Sequence, residues 1–403
     1  MALPAVTLRR PHRLPSCLVH RDPRRYILVL VLLLGGGLLW FMGREDVIIA
    51  TSKPVSFVRP PQLLSTPQKQ APSFDMSQPQ FFERKPSSLM QRKSPPPPFL
   101  SLADLTQTDD AEREEEACKT KAFVYLADIT SSTDASRHSK IPPIIHQTSK
   151  SRCLTKLFAK VSKKWRDLDG YKYYLHDDNA VMKLLLSDQA AYDFPLLHQL
   201  VTANCLPHGT LKADIWRYLI LWFYGGLYAD IDSQPTALFN TTQPILTAND
   251  DGWFLVEQFH VLSQYVMAVS PRHPLMWYAL HHALLKVAIQ MDTGRVNAAL
   301  VTGPHALHRA YQDFRRDAGA NVDPQGPGYK PVWAGTFQGT NQRSITVVGK
   351  GEWEGQYVTR EMMDLSLKKK QYAKMNMTSF RDDKDRRSGK SCLSAFFQYQ
   401  ENH

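Results

Sequence analysis

The chain has 403 residues, of which 43% are hydrophobic, and its formal net charge is +11. This length and apolar content are enough for one large folded domain with appended segments. A basic balance can indicate nucleic acid, an anionic membrane surface or a phosphate-bearing ligand. No nucleic-acid-binding motif is present, so we expect no nucleic-acid partner and favour the other two.

An uninterrupted apolar run occupies residues 26–42 (YILVLVLLLGGGLLWFM). Its length is at the lower limit for a membrane-spanning helix, about 17 residues. Arg24, Arg25 and further arginines precede it, which predicts by the positive-inside rule that residues 1–25 stay in the cytoplasm. We therefore expect a transmembrane signal anchor at 26–42 and a lumenal remainder. A cleaved signal peptide is the alternative, although no small-residue cleavage site directly follows the run.

The segment after the run is rich in proline. Residues 51–100 contain eleven prolines and end close to a Pro95–Pro98 cluster. Such a stretch buries too little apolar surface to offset its ordering entropy. We expect residues 43–135 to form a disordered, Pro-rich stem and residues 136–403 to form the lumenal domain.

The chain has five cysteines, and none forms a C-x-x-C pair, which disfavours a zinc site of the usual spacing. Cys17 precedes the predicted anchor. The other four (Cys118, Cys153, Cys205 and Cys392) permit two disulfides in any of three connectivities. Buried free thiols are the alternative, and the spacing does not decide between them.

The predicted lumenal domain begins with alternating strands and helices. Apolar, β-branched residues predict a first strand. In later segments the spacing of apolar residues is alternately typical of strands and of helices. This alternation predicts an α/β fold. The strands are expected at 141–148, 171–175, 253–259 and 266–269, and the helices at 154–165, 178–186 and 274–289.

The most informative stretch is 211–232 (LKADIWRYLILWFYGGLYADID). Apolar residues at helical spacing predict a helix through Tyr224, with Thr210 as its N-cap. Gly225–Gly226 should end this helix, because glycine readily adopts the left-handed conformation. A strand is expected at 227–231, with Asp230 and Asp232 at its end.

Residues at i and i+2 of an extended segment point to the same side, so Asp230 and Asp232 would present two carboxylates together. Such hard oxygen ligands suit Mn²⁺ or Mg²⁺, and a divalent metal neutralises charge on a diphosphate leaving group. A D-x-D triplet alone is more often a solvated turn. Its place at the carboxyl end of a strand, where ligands bind in open α/β sheets, favours the metal site.

Two further pairs are candidate ligand-binding residues. Asp214 and Arg217 lie one helical turn apart and could fix a ribose or sugar hydroxyls, or form a surface ion pair. His146 and Gln147 lie at the end of the first strand, where a base or ribose could bind. A histidine satisfied within the core is the alternative for His146.

Four blocks of the sequence resemble the DXD-motif sugar transferases of glycosyltransferase family 32. This family includes yeast-type initiation-specific alpha-1,6-mannosyltransferases and inositol phosphorylceramide mannosyltransferases. The most specific block is 212–232. The others are Ile141–Thr148, then Trp165 with Tyr174 and Asp177–Asp178, and more weakly His273–Pro274 with Thr302–Pro304.

The resemblance implies a GT-A type nucleotide-diphospho-sugar transferase domain and a retaining reaction. It implies Mn²⁺ (or Mg²⁺) bound through Asp232 with Asp230 nearby, and donor contacts from Asp214 and Arg217. A further metal ligand is expected from the C-terminal part. His305 and His308 are candidates by position only, with a structural role as the alternative.

The expected function is therefore transfer of a hexose, with mannose from GDP-mannose favoured, to a glycan or glycolipid acceptor. A UDP-sugar-dependent galactosyl- or N-acetylglucosaminyltransferase is the alternative within the enzymes. A catalytically silent, lectin-like member of the fold is the alternative outside them. The resemblance also implies a type II membrane protein of the Golgi, consistent with the anchor and stem.

Overall fold

The structure is a computed structural model that describes residues 96–107, 111–130, 139–207, 209–236, 239, 246–256, 260–291, 296–319, 331–348, 358–360, 365–377 and 392–402. The predicted anchor at 26–42 lies outside these ranges. Within them, no helix is both long and apolar enough to cross a bilayer.

The described residues form an α/β fold, as the alternation of elements predicts. The helices are α1 (Leu102–Thr106), α2 (Ala111–Thr120), α3 (Lys156–Arg166), α4 (Asp178–Leu185), α5 (Asp188–Asp193), α6 (Pro195–Thr202), α7 (Gly209–Tyr224), α8 (Pro274–Gln290), α9 (Ala298–Val301), α10 (Pro304–Arg316), α11 (Leu365–Lys374) and α12 (Cys392–Asn402). The strands are β1 (Val124–Tyr125), β2 (Ile144–Thr148), β3 (Cys153–Leu154), β4 (Lys172–His176), β5 (Gly226–Ala229), β6 (Ser233–Pro235), β7 (Gly252–Val256), β8 (Leu262–Val269), β9 (Gly335–Gln338), β10 (Ser344–Val348) and β11 (Val358–Arg360).

The main sheet has seven strands in the order β4-β2-β5-β8-β7-β10-β9. The pairs β2–β4, β2–β5 and β7–β10 are parallel, whereas β8 runs antiparallel to both β5 and β7, and β9 to β10. Strand β5 therefore lies inside the sheet, between a parallel and an antiparallel neighbour. Its carboxyl end is the point from which the DXD segment leaves.

Hydrophobic cores cover both faces of this sheet, so side chains of β5 alternate between them. Tyr228 belongs to the core formed with α7 and α8, and Leu227 and Ala229 belong to the core formed with α3. Burial on both faces explains why 226–229 (GLYA) is apolar throughout, as expected of a strand inside a covered sheet. The packing fixes the position of the chain directly before Asp230.

Ordered elements extend into the range 43–135, where we expected a disordered stem. Helices α1 and α2 and strand β1 lie there, and Leu105 and Cys118 are fully buried. The hydroxyl of Tyr224 donates to the backbone carbonyl of Leu100. Composition favoured disorder because the run of prolines ends only at Pro98, but the apolar residues after it pack on the folded domain.

Two disulfides link distant segments, so the alternative of free thiols is wrong for these four cysteines. Cys118 at the end of α2 pairs with Cys153 of β3, and Cys205 after α6 pairs with Cys392 at the start of α12. The second disulfide joins segments 187 residues apart.

Candidate active site

The DXD segment is a turn that begins where β5 ends. The strand stops at Ala229, and the Ser233 backbone N–H donates to the Asp230 carbonyl at 3.0 Å. The expected strand at 227–231 is therefore two residues too long, and Asp230 and Asp232 are placed by a turn instead of by strand alternation. Ile231 packs into the core as expected.

Two glycines allow helix α7 to meet β5 directly. Gly225 and Gly226 have φ angles of +63° and +92°. A Cβ on Gly226 would lie 2.6 Å from the backbone oxygen of Ile144, and one on Gly225 would lie 2.7 Å from the backbone nitrogen of Pro271. Both the left-handed conformation and the close packing therefore require glycine, as the sequence predicts for the end of this helix.

Arg217 lies between the two carboxylates of Asp214 and Asp230. Its Nη2 is 3.1 Å from Asp214 Oδ1, and its Nη1 is 3.1 Å from Asp230 Oδ1. Tyr228 completes the contact, because its hydroxyl donates to the same oxygen of Asp230 at 2.8 Å and its ring lies 4.5 Å from the Arg217 guanidinium. The pair Asp214–Arg217 is thus a buried network and the surface alternative is wrong.

The Asp214 carboxylate is held on both oxygens. Oδ1 accepts from the Gln264 side-chain amide at 3.1 Å, and Oδ2 accepts from the Thr302 hydroxyl at 2.8 Å. Burial raises the pKa of Asp214 to about 6, against the opposing effect of Arg217. In this arrangement Asp214 acts by orienting Arg217, and a direct contact with a donor stays a prediction.

Gln147 connects strand β2 to the DXD turn. Its amide nitrogen donates to the Asp230 carbonyl at 3.1 Å, and its amide oxygen accepts from the Tyr173 hydroxyl at 2.9 Å. The Ser233 hydroxyl donates to the same Asp230 carbonyl at 2.7 Å. These bonds fix the backbone of the turn, so Gln147 has a positioning role here.

His146 is completely buried and faces its neighbours within the core. Its Nε2 lies 3.0 Å from the Gly225 carbonyl, and its Nδ1 lies 3.2 Å from His176 Nε2. Burial lowers the pKa of His146 to about 4, so the ring is neutral at pH 7. The surroundings fit the core histidine that we considered as the alternative, and no contact among the described residues supports its predicted role in donor binding.

Asp232 differs from Asp230 in its surroundings. Its side chain is only 2% exposed, against 25% for Asp230. Its Oδ2 forms an ion pair with Lys368 of α11, and its Oδ1 is buried with no hydrogen-bond partner among the described residues. A buried carboxylate oxygen without a partner is costly unless something binds it.

The two carboxylates fit a divalent cation of the Mn²⁺ or Mg²⁺ type. Such ions are commonly held by one or two carboxylates together with substrate phosphates and water. No group of three or more His, Cys, Asp or Glu side chains suited to a metal occurs in the described part of the chain. His308 is buried in α10, and neither it nor His305 forms part of such a group.

Several residues that form this site were not predicted from the sequence. Tyr228 and Thr302 lie within the resembling blocks, but spacing indicated no role for them. Gln264 lies on β8, and Lys368 lies in the lysine-rich helix α11. Their roles depend on contacts between residues 50 and 136 positions apart (Asp214–Gln264 and Asp232–Lys368), which local patterns do not show.

Comparison with known proteins finds a family match over the part of the chain that contains the DXD turn. Residues 145–248 match the family described as the glycosyltransferase sugar-binding region containing DXD motif. Inositol phosphoceramide mannosyltransferase 1 of Schizosaccharomyces pombe is 28% identical over 188 residues, which are 43% of this chain and 51% of that protein. The initiation-specific alpha-1,6-mannosyltransferase of the same organism is 30% identical over 156 residues, 35% of this chain and 39% of that protein.

A third relative is the mannosyl phosphorylinositol ceramide synthase SUR1 of Saccharomyces cerevisiae, 29% identical over 151 residues, 35% of this chain and 34% of that protein. The chain therefore spans about half or less of these curated relatives. Among solved structures, the PaToxG glycosyltransferase aligns with 16% identity and a TM-score of 0.31, over 50% of this chain and 76% of that one. The resemblance to the DXD-motif glycosyltransferases is confirmed, and residues 145–248 are the part of the chain that matches their sugar-binding region.

Proposed function

We propose that this protein is a metal-dependent glycosyltransferase that moves a hexose from a nucleotide-diphospho-sugar to a glycan or glycolipid. The observation that carries the proposal is the DXD turn itself. Asp230 is oriented by Arg217, Tyr228 and a fixed backbone, and Asp232 keeps one buried oxygen without a partner among the described residues. This arrangement suits a cation at the carboxyl end of an interior strand.

The chain's own residues would hold and orient the donor. Asp230 and Asp232 would bind Mn²⁺ or Mg²⁺, which when bound supplies positive charge to the diphosphate leaving group. Arg217 would keep the Asp230 carboxylate in place, and Asp214, Gln264 and Thr302 would keep Arg217 in place. Preorganisation of this kind lowers the reorganisation needed when charge develops on the leaving group.

The GT-A type of the fold, the retaining outcome and the donor are finer parts of the same proposal. Two of the reported relatives are named mannosyltransferases, one of them for inositol phosphoceramide, and the third is named a mannosyl phosphorylinositol ceramide synthase. These names favour mannose from GDP-mannose. The proposal also includes a signal anchor at 26–42 and a Golgi membrane location, with residues 136–403 in the lumen. The anchor and the location rest on the N-terminal sequence and the family resemblance.

A donor screen tests the proposal directly. The purified chain would be incubated with a panel of GDP- and UDP-sugars, with and without Mn²⁺, and nucleoside diphosphate release and transfer to glycan and glycolipid acceptors would be measured. We expect release with GDP-mannose that depends on the metal. Release only with a UDP-sugar would select the galactosyl- or N-acetylglucosaminyltransferase alternative.

The control variants are Asp232→Asn and Asp169→Asn. Asp232→Asn removes a metal ligand and should abolish turnover with little loss of folding. Asp169 is exposed, so its substitution should leave turnover unchanged. Absence of release with every donor from a folded, metal-loaded protein would favour a catalytically silent member of the family, and full turnover of Asp232→Asn would overturn the metal assignment.

A further inference from the structure

The C-terminal part of the chain returns to the DXD turn. Strand β11 pairs antiparallel with β6, so that Arg360 lies opposite Ser233, the residue directly after Asp232. Helix α11 then places Lys368 on the Asp232 carboxylate. A segment more than 120 residues further along the chain therefore supplies a cation to the centre of the candidate site.

The rest of α11 is held against the folded domain. The ring of Tyr372 lies 5.2 Å from that of Phe158 in α3, and Met375, just beyond the helix, is buried in the same core. At this end, Lys150 donates to the backbone carbonyl of Asn376 at 3.0 Å. These contacts hold the end of α11 against the domain and so keep the backbone of Lys368 beside the site.

The three adjacent lysines of α11 differ in their exposure. Lys368 is 23% exposed at its side chain, whereas Lys369 and Lys370 are exposed to solvent. The ammonium of Lys368 also lies 5.5 Å from the Tyr372 ring centre, within reach of a cation–π contact. The neighbouring lysines therefore serve as controls that match it in charge and sequence position.

The ammonium and a divalent metal compete for the charge of Asp232. The metal would bind Oδ1, which has no hydrogen-bond partner among the described residues, but Lys368 on Oδ2 already neutralises the same carboxylate and would repel a second cation at this short distance. Metal binding at Asp230 and Asp232 therefore favours the release of Lys368 from Oδ2. The four-carbon stem of lysine allows its head group to swing away while the helix stays in place.

We propose that Lys368 is a positioning residue that neutralises Asp232 before substrate binds and moves onto the donor's diphosphate when the metal takes the carboxylate. This inference rests on the proposed function. A nucleoside diphosphate bound to the metal brings phosphate oxygens to the same edge of the site, and a charge-assisted hydrogen bond to one of them replaces the bond that Lys368 loses. One side chain thus reduces repulsion between the carboxylates before the metal binds and then holds the leaving group.

The test measures binding instead of turnover. Mn²⁺ affinity without nucleotide, and GDP and UDP affinity at saturating Mn²⁺, would be measured by calorimetry for the wild-type chain, Lys368→Met, Lys368→Arg, Lys369→Met and Lys370→Met. Removal of the competing ammonium should tighten Mn²⁺ binding of Lys368→Met by about tenfold. The same variant should bind the nucleoside diphosphate about tenfold more weakly.

The controls separate this role from a purely structural one. Lys369→Met and Lys370→Met should match the wild type in both measurements, and Lys368→Arg, which keeps the charge, should retain weak Mn²⁺ binding. If Lys368 had a structural role only, its replacement would weaken the binding of both ligands or of neither. An unchanged or reduced Mn²⁺ affinity of folded Lys368→Met would therefore overturn the inference and leave the proposed function intact. If no variant binds Mn²⁺ or nucleotide, the proposed function fails as well.

Discussion

Arg217 places one guanidinium nitrogen 3.1 Å from Asp230 and another 3.1 Å from Asp214, which lies one turn before it on the same helix. A residue of α7 is thereby connected to the turn after β5, across the glycines that separate the two elements. The planar fork of arginine is what allows both carboxylates to be reached at once.

Arg217→Lys keeps a positive charge but cannot bridge both carboxylates in this geometry. We expect kcat/KM for donor turnover to fall by about 100-fold, because Asp230 is no longer held in place. Kinetics on the purified variant, with circular dichroism to check folding, measure this. Arg166→Lys alters a partly exposed pair with Asp167 and should have no effect on turnover. If folded Arg217→Lys had the same kcat/KM as the wild type, the bridging of Asp214 and Asp230 by the guanidinium would not be needed for turnover.

Gly226→Ala should destabilise the chain strongly. Its φ of +92° is strained for alanine, and the new Cβ would meet the Ile144 carbonyl oxygen at 2.6 Å. Gly170 has a similar φ of +76°, but a Cβ added there would have no other atom within 4 Å. We expect Gly226→Ala to lose about 2 kcal/mol more unfolding free energy than Gly170→Ala in urea denaturation. Equal losses would show that backbone strain alone matters.

Stability should fall as the pH drops below 6.5, because His273 is buried in its neutral form. Its Nδ1 accepts from the Leu275 backbone N–H at 3.3 Å, and its Nε2 lies 3.3 Å from the Ser344 carbonyl. Burial lowers the pKa of His273 to about 3. The unfolded chain takes up the proton near pH 6.5 and the folded chain does not, so the stability is present above pH 6.5 and is lost toward pH 3.

Between pH 7 and pH 5 this one group should reduce the unfolding free energy by about 2 kcal/mol. His273→Asn keeps a side chain able to cap α8 and removes the titration. Its stability should therefore change less over the same interval, as measured by urea unfolding at both pH values. Parallel pH profiles for the two proteins would show that His273 is protonated in the fold.

The disulfide between Cys205 and Cys392 anchors α12 to the turn after α6. Cys205→Ala with Cys392→Ala removes a link across a long loop and should lower the unfolding free energy by about 2–5 kcal/mol. Non-reducing peptide mapping of the wild type should recover Cys205 with Cys392 and Cys118 with Cys153. Recovery of another pairing would refute the connectivity.

The elements nearest the DXD turn were predictable because each carries a local signal. Helix α7 has apolar residues at helical spacing and ends at two glycines, and β2 and β4 are short apolar runs. The predicted strand at 227–231 was too long because Ile231 is apolar and buried, as a strand residue would be, although it lies in a turn.

The parts that were not predicted depend on contacts between distant segments. The pairing of Cys205 with Cys392 could not be chosen from the three possible connectivities, because the spacing of cysteines along the sequence does not show which of them are close in space. Helices α1 and α2 were assigned to the stem because the prolines before them dominate the composition. The position of Lys368 follows from the pairing of β11 with β6, which a lysine-rich sequence does not indicate.

Because the C-terminal part of the chain packs against the DXD turn, the matched region cannot be moved to another protein without losing some of its contacts. The family match ends at residue 248, yet Gln264, Thr302 and Lys368 all contact the network built around Asp214, Arg217 and Asp232. A chimera that grafts residues 145–248 onto another scaffold would carry the motif without the side chains that set its charge and orientation. Exchange of donor specificity in this way would require the host to supply three equivalent partners, whereas a change confined to Lys368 of α11 should alter the affinity for the metal and for the nucleoside diphosphate together.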